Sequence, residues 1–370
     1  MSTIEKRPAV TNQPFHTTAP GRPIKWSVGP KEGGTVNVLA EAAQTGRRCT
    51  VAMHELPAGD GGPFHAHEED EGFYVLEGDI TFIMADDELE IPATKGEFVW
   101  HPAKRFHGFK VGDRPVKMLQ FLFPGTELVP RFFEAVEGEK GRALDSPEKL
   151  GEFVAMAGRE FNMKMAGPSG PPPSSRPRSA RGPATPDARL LFPSETEGIA
   201  NVPFKSDASA VMTMTIDRGM MTGVECIFHA FGHQTGNAFG LLEIAWNKPD
   251  LVGPHVHTLE DEGFYVLEGE VTLYIAADDG VMKVVGHPGD FIWAPRDVPH
   301  YFSLTGEAGT RVLSCEIPGG SMTQYFAAIA AGRGEDLSTD EKLGEFVEWG
   351  VRTAGIHFLA PDEWPGEITS

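Results

Sequence analysis

The chain has 370 residues and a formal net charge of −21, with 53 acidic and 32 basic side chains. This length predicts two or three domains, each with its own core. The acidic balance disfavours nucleic acid and anionic membrane surfaces as partners. The sequence contains no run of about 18 apolar residues, the length needed to cross a bilayer. A membrane protein is therefore not expected.

The three cysteines and the first residues of the chain point to a reducing compartment. Cys49, Cys226 and Cys315 lie far apart, are odd in number and form no CxxC pair. The N-terminal stretch lacks the apolar core of a signal peptide. We therefore expect a cytoplasmic protein. The 43 glycines and 30 prolines favour many short strands joined by turns.

The sequence contains a tandem repeat. The heptapeptide GFYVLEG occupies residues 72–78 and 263–269, each time shortly after an HxH pair. The offset between the copies grows by only a few residues, and these insertions fall between motifs, where turns tolerate them. The predicted organisation is a first domain over 1–165, a linker rich in Pro, Ser and Arg over 166–189, and a second domain over 190–370.

Each copy is expected to have a β-rich centre followed by a helical tail. Apolar residues at intervals of three and four predict helices over 130–136 and 146–153 in the first copy. Ser146 is the predicted N-cap of the second of these helices, with Pro147 at its first position. The corresponding helices of the second copy are predicted over 322–331 and 338–351.

Each copy also carries a set of metal-ligating residue types. In the first copy, His65 and His67 alternate along a predicted strand and so share a face, Glu71 follows after a turn, and His107 lies in a later strand. Three imidazoles and a carboxylate suit a divalent transition metal. The same pattern occurs in the second copy, with ligands His255, His257, Glu262 and His300. A histidine pair on a strand is often only part of the polar surface. The spacing of the HxH pair, the glutamate and the later histidine occurs in both copies, however, and this favours a metal site.

These residues resemble the two motifs of the cupin superfamily. The first, G-x5-HxH-x3,4-E-x6-G, is complete in the first copy, whereas the second copy has Pro249 at the leading glycine. The second motif, G-x5-PxG-x2-H-x3-N, departs from its inner glycine at Lys104 and Asp297 and from its asparagine at Val111 and Leu304. The resemblance implies an all-β-dominated fold of two tandem small antiparallel barrels, with a metal inside each and a helical tail after each.

Duplicated barrels with helical tails resemble bicupin dioxygenases of the quercetinase (flavonol dioxygenase) type. This implies oxygenation of a small phenolic or enolisable substrate by O2 at iron, manganese, nickel or cobalt, with zinc also open, up to one ion per domain. Glu71 or Glu262 would act as ligand and as the catalytic base. The alternatives are a non-redox isomerase, lyase or cyclase and a non-catalytic binding protein. Assembly as a homodimer is left open.

Strand parity predicts which side chains surround the metals. Residues that share a face with the ligands would form a dry pocket for an apolar substrate, and plain barrel filling is the alternative. The predicted pocket residues are Phe73, Val75 and Phe109 in the first copy and Phe264, Val266 and Phe302 in the second. His101, next to Pro102, is a further histidine to watch near the first site.

Overall fold

A computed structural model of the chain describes residues 9–26, 33–85, 89–137, 146–166, 200–216, 221–277, 280–304, 309–360 and 362–368. Within these ranges the chain forms two antiparallel β barrels, each built from a seven-stranded and a five-stranded sheet, and four α helices. The predicted β-dominated fold of two barrels with helical tails is confirmed. Except for Ala166, the predicted linker over 166–189 lies outside the described residues.

The first barrel contains the first repeat. Its seven-stranded sheet has, in spatial order, β13 (Phe204–Lys205), β9 (Phe98–His101), β6 (Asp70–Glu77), β11 (Val116–Phe123), β4 (Thr50–Leu56), β3 (Thr35–Ala40) and β2 (Arg22–Lys25). Its five-stranded sheet has β12 (Lys164–Met165), β5 (Gly61–Ala66), β10 (His107–Val111), β7 (Asp79–Met84) and β8 (Leu89–Thr94).

The second barrel repeats this strand order. Its seven-stranded sheet has β1 (Phe15–Thr17), β21 (Phe291–Ala294), β18 (Asp261–Glu268), β23 (Thr310–Ile317), β16 (Gly240–Trp246), β15 (Val224–Ala230) and β14 (Met212–Met214). Its five-stranded sheet has β24 (Ile356–Phe358), β17 (Asp250–His257), β22 (His300–Leu304), β19 (Val271–Ala277) and β20 (Gly280–Gly286). The two barrels are therefore equivalent strand by strand.

One edge strand of each seven-stranded sheet comes from the other half of the chain. Strand β1 pairs with β21 of the second barrel, and β13 pairs with β9 of the first. Side chains add to this exchange, since Lys205 Nζ lies 2.7 Å from Glu97 Oε1 and His16 Nε2 lies 3.0 Å from Asp290 Oδ2. Each half of the chain thus completes a sheet of the other half. The domain ranges 1–165 and 190–370 therefore do not coincide with the two barrels strand for strand, and they remain a prediction drawn from the repeat.

The two seven-stranded sheets bury one shared aromatic core between the barrels. Trp100 of the first barrel stacks on Phe239 of the second, with ring centroids 6.3 Å apart, and both rings are fully buried. Trp293 belongs to the same cluster, as do the free thiols of Cys49 and Cys315. Large aromatic side chains dominate the energetics of such cores, so the barrels are held together as one unit.

The helical tails follow the last long strand of each barrel. The first tail has α1 (Leu128–Glu137) and α2 (Pro147–Phe161), and the second has α3 (Ser321–Ala330) and α4 (Asp340–Ala354). Ser146 caps α2 as predicted. Helix α4 is capped by Thr339 and not by Ser338, whose hydroxyl instead bonds Asp336 Oδ1 at 2.7 Å. Among the described residues, no helix is long and apolar enough to cross a membrane.

Candidate metal centres

Strand geometry brings the three predicted histidines of the first copy together. His65 lies near the end of β5 and His67 just beyond it, so their side chains project to the same face. Strand β10 begins at His107, which pairs in register with His65. The His65 and His107 rings lie 4.4 Å apart between centroids, and the His67 and His107 rings lie 5.1 Å apart.

A left-handed turn residue ties the two histidine strands in each copy. The N–H of Lys104 donates to the carbonyl of His67 at 2.7 Å, and the N–H of Asp297 donates to the carbonyl of His257 at 2.7 Å. Both turn residues have positive φ, 64° for Lys104 and 62° for Asp297, at the position where the cupin motif has glycine. The departures from the motif therefore keep its backbone shape, at a steric cost of about 1–2 kcal/mol each.

Hydrogen bonds to the backbone fix the tautomer of four predicted ligands. In each of them Nδ1–H donates to the carbonyl two residues earlier, which leaves the Nε2 lone pair free to face the other ligands. The pairs are His65 with Pro63 at 2.9 Å, His107 with Arg105 at 2.9 Å, His255 with Gly253 at 2.7 Å and His300 with Val298 at 3.1 Å.

The second copy gathers all four of its predicted ligands into one group. Each of His255, His257, Glu262 and His300 offers a ligand atom, and these atoms lie within 4.8 Å of one another. Glu262 Oε2 lies 3.4 Å from His257 Nε2 and 3.3 Å from His300 Nε2. All four side chains are buried.

The first copy forms two overlapping groups instead. One consists of His65, His67 and His107, and the other of Glu71, His101 and His107. Glu71 Oε2 links them, since it lies 3.2 Å from His107 Nε2 and 3.6 Å from His67 Nε2. His101, which the sequence marked only as a residue to watch, is thus part of the site.

Unpartnered polar atoms at both sites fit a divalent cation. His107 Nε2 and Glu71 Oε2, like His300 Nε2 and Glu262 Oε2, are buried and make no hydrogen bond to any described residue. Leaving such an atom unsatisfied costs about 1–3 kcal/mol, and here several converge. Imidazole and carboxylate are the donors that iron, manganese, nickel and cobalt accept, so the residues present fit such an ion.

The protonation states differ between the sites. Burial, with the neighbouring His107 and His67, lowers the pKa of His65 to about 3. Burial likewise lowers the pKa values of His255 and His257 well below the usual value. Burial would also lower the pKa of His67, but Glu71 and Glu69 outweigh it and raise the pKa to about 10. Since metal ligation needs neutral imidazole, an ion in the first copy must displace a proton from His67.

The two glutamates are held by different partners. Gln120 on β11 donates from Nε2 to Glu71 Oε1, while the Gln120 amide oxygen accepts from His54 Nε2 at 2.6 Å. In the second copy, Ser314 Oγ donates to Glu262 Oε1 at 2.9 Å. Sequence reasoning missed Gln120 and Ser314. The available signal was a lone polar residue inside an otherwise apolar strand, as in MLQFLF of β11.

Each site faces a cavity, and the two cavities differ in size. The first has a volume of about 130 Å³ and is walled by Phe73, Phe82 and Phe109 and by side chains of both tail helices. The second has a volume of about 40 Å³. A cavity of ~150 Å³ can hold benzene, so the first is of the size of a single ring and the second holds little more than water.

Four of the six predicted pocket residues line these cavities. Phe73 and Phe109 line the first, and Phe264 and Phe302 line the second. The prediction for Val75 and Val266 is wrong, because both are fully buried in the barrel cores and line neither cavity. Parity gave their face correctly but not their depth, since a residue four positions from the glutamate lies about 13 Å further along the strand.

Comparisons with known proteins find a cupin domain in each half of the chain. Residues 52–122 and 248–316 each match the cupin domain family. The chain is similar to quercetin 2,3-dioxygenase of Bacillus subtilis, with 22% identity over 291 residues that cover 76% of this chain and 77% of the relative.

Solved structures of oxalate decarboxylase share the fold. One, concerned with proton-coupled electron transfer, has a TM-score of 0.52 and 13% identity and covers 85% of this chain and 79% of its own. The Bacillus subtilis enzyme at pH 4.6 has a TM-score of 0.51 and 13% identity, covering 84% of this chain and 77% of its own. A third, described by its Mn(II) centres, has a TM-score of 0.51 and 13% identity, covering 85% and 79%. At such identity the likeness shows the fold alone. With a match to the cupin domain family in each half, the chain contains two cupin domains and is similar to quercetinase.

Proposed function

We propose that the protein is a metal-dependent dioxygenase that acts on a small phenolic or enolisable substrate with O2, and that the reaction takes place in the first copy. The observation that carries the proposal is the apolar cavity of about 130 Å³ that ends on His65, Glu71 and His107. The sequence similarity to quercetin 2,3-dioxygenase supports the reaction class.

The cavity lining supports an uncharged ring or enol as substrate. Phenylalanine side chains supply much of the wall, and methionines Met118, Met163 and Met165 complete it. Among the described residues that line it, none is lysine or arginine. A small dianionic substrate would thus meet no positive side chain apart from a protonated histidine, whereas apolar burial favours a neutral ring by about 25 cal/mol per Å².

The proposed ligands are those predicted from the motifs. In the first copy a bound ion would be held by His65, His67, Glu71 and His107, and in the second by His255, His257, Glu262 and His300. The ion would supply an open coordination position that lowers the pKa of a substrate hydroxyl.

We further expect a cytoplasmic protein, with homodimerisation still open.

Glu71 would accept the substrate proton. The charge of His67 and the neighbouring His101 and His107 outweigh the effect of burial and hold the pKa of Glu71 well below its usual value. Its Oε1 accepts from Gln120, so the carboxylate is fixed with Oε2 towards the histidines. Burial also lowers the pKa of His54, so its imidazole is neutral. The only charge on the hydrogen-bonded row of His54, Gln120 and Glu71 is therefore the negative charge of the glutamate.

Water exclusion follows from the tail helices. Phe132 and Phe133 of α1 and Phe153 of α2 line the cavity with apolar rings. A site shielded in this way strengthens the electrostatic interactions inside it and protects reactive species from hydrolysis. Glu262 is the equivalent base in the second copy, but its cavity of about 40 Å³ leaves no room for a ring.

The test is turnover of catechol and of acetylacetone, as the phenolic and the enolisable probe, by protein loaded separately with iron, manganese, nickel, cobalt or zinc. We expect O2 uptake matched to substrate loss in air and no substrate loss under argon. Turnover that is equal with and without O2 would replace the oxygenase with the non-redox isomerase, lyase or cyclase, which zinc should also support.

A further inference from the structure

His101 is the one histidine of the first site that the cupin motifs do not contain. It ends strand β9, where it pairs in register with Glu71 of β6. The side chain is 1% exposed. Its ring lies 5.2 Å from Phe73, 5.1 Å from Phe82 and 5.1 Å from His107, measured between centroids. Aromatic packing therefore fixes the ring against the metal-binding residues.

Neither ring nitrogen of His101 has a hydrogen-bond partner among the described residues. Buried polar atoms normally have a hydrogen-bond partner, because a polar atom that loses its hydrogen bonds to water and gains none in the protein costs free energy. Nδ1 points to Glu71, whose Oε2 lies 3.8 Å away, and the same oxygen lies 3.2 Å from His107 Nε2. The unpaired nitrogen is thus directed at the atoms that would hold the ion.

These separations suit ligands of a shared ion. With metal bonds of ~2.1 Å, two ligand atoms lie ~3.0 Å apart at right angles and ~4.2 Å apart when opposite. The ligand atoms of Glu71, His101 and His107 lie within 4.8 Å of one another. The distances of 3.2 and 3.8 Å around Glu71 Oε2 fall inside the range expected of two ligands.

The second copy lacks this group. Ala294 occupies the equivalent position on β21, where it pairs in register with Glu262. Its site consists of His255, His257, Glu262 and His300. The two copies thus differ by one imidazole directly beside the metal-binding glutamate.

We propose that His101 is a ligand of the metal ion in the first copy, which therefore offers four imidazoles and a carboxylate where the second copy offers three and a carboxylate. This inference rests on the metal site of the proposed function. An additional nitrogen donor leaves the ion of the first copy fewer positions for substrate than the ion of the second. Substrate can consequently reach the first site through its cavity, but fewer coordination positions on the ion are free to bind it.

The experiment counts imidazoles on Co²⁺ by proton NMR. A histidine bound through one nitrogen keeps one N–H on the other, and paramagnetic Co²⁺ shifts that proton far from the diamagnetic signals. Two proteins isolate the sites, one with His255→Ala and His257→Ala, the other with His65→Ala and His67→Ala. Cobalt content is measured on each preparation.

We expect four shifted N–H signals from the first site, and these must be observed before any change is made to His101. His101→Phe in the same background, which keeps the ring volume beside Phe73 and Phe82, should leave three. The matched control is His54→Phe, because His54 is a buried histidine of the same cavity that bonds Gln120 and not the ligands. It should leave four.

If the first site binds cobalt but gives only three shifted signals, and His101→Phe leaves their number unchanged, His101 is not a ligand. The metal site of the proposed function would still stand. Failure of the first site to bind cobalt at all would overturn both proposals. The two failures are therefore distinguished by the cobalt content alone.

Discussion

The two copies carry the same four kinds of ligand in different surroundings. His65 is half-buried and opens on a cavity of about 130 Å³, whereas His255 is 3% exposed and faces about 40 Å³. The equivalent strands otherwise follow the same order, and the histidine strands pair in the same register in both copies. A metal-binding motif thus identifies where an ion can bind, but the side chains around it decide whether a substrate can reach it.

The difference in volume comes from the tails. In the second copy, Tyr325 and Phe326 of α3 line the small cavity, and the Phe358 ring of β24 lies 6.0 Å from the ring of His255. In the first copy the residue opposite His65 on the equivalent strand β12 is Met165. Methionine is flexible and adapts to a ligand, so this wall of the first cavity can adjust to a substrate, whereas the equivalent wall of the second cavity is an aromatic ring.

The largest expected effect separates the two metal sites. His65→Ala with His67→Ala should lower turnover of the probe substrate at least ~100-fold, because the ion and its open position are lost. His255→Ala with His257→Ala should lower it less than ~3-fold. Initial rates of O2 uptake, with metal content measured on each protein, check this. Equal losses from the two pairs would show that both copies react.

A second effect concerns the packing of the tails. Tyr325→Ala should lower the free energy of unfolding by about 3–5 kcal/mol, because Tyr325 is 2% exposed and lies in the core of the second barrel. Phe132→Ala should cost only about 1–3 kcal/mol, since this half-buried ring already borders a cavity. Urea unfolding of the metal-free proteins measures both. Equal costs would contradict the difference in packing.

A third effect is a contrast in pH dependence between Glu69 and Glu260, which occupy equivalent positions. Burial would raise the pKa of Glu69, but His67 outweighs it and the pKa is lowered. Burial, with Glu262 adding to it, raises the pKa of Glu260 to about 7 despite hydrogen bonds from the N–H groups of Ser321 and Met322.

The signs of the two contributions are opposite. The lowered pKa of Glu69 gives stability that is present above its unfolded pKa and lost as the pH falls through the folded value. The folded state holds the Glu260 proton between about pH 4.5 and 7, so its contribution is lost as the pH rises through that window. In metal-free protein, Glu260→Gln should therefore reduce the loss of stability from pH 5 to pH 8 by about 1–3 kcal/mol.

Glu69→Gln should instead destabilise metal-free protein at pH 7 more than at pH 4. Urea midpoints from pH 4 to pH 8 measure both variants. If the two substitutions changed the pH profile in the same direction, the difference between the two glutamates would be refuted.

The smallest effect concerns the helix caps. Ser146 accepts from the N–H of Lys149 at 3.3 Å, and Thr339 accepts from the N–H of Lys342 at 3.2 Å. Ser146→Ala and Thr339→Ala should each cost about 1 kcal/mol. Only Ser146→Ala should also weaken binding of catechol, because α2 carries Phe153 into the first cavity. Calorimetric titration of both variants checks this, and equal weakening would contradict it.

The sequence was sufficient for the fold and for the motif histidines and glutamates that gather at the two sites. The duplicated motifs predicted both barrels, and period-two alternation placed Phe73 and Phe109 at the first cavity. Val75 was misplaced because parity does not give depth within the barrel. His101 and Gln120 become part of the site only through the cross-strand register of β6 with β9 and β11, which a single sequence does not specify.

The unequal cavities were also beyond sequence reasoning. The tail helices are predicted by their periodicity, but the volume they leave depends on how Phe132 and Phe133, or Tyr325 and Phe326, pack against the barrels. Such packing is set by three-dimensional contacts between segments distant in the chain.

Binding of catechol to Fe³⁺ in the two site-isolated proteins tests the central claim most directly, since it needs no turnover. A catecholate bound to Fe³⁺ gives a visible charge-transfer band. We expect this band when only the first copy holds iron and no band when only the second copy does. A band from the second copy, or none from an iron-loaded first copy, would contradict the assignment of the reaction to the first copy.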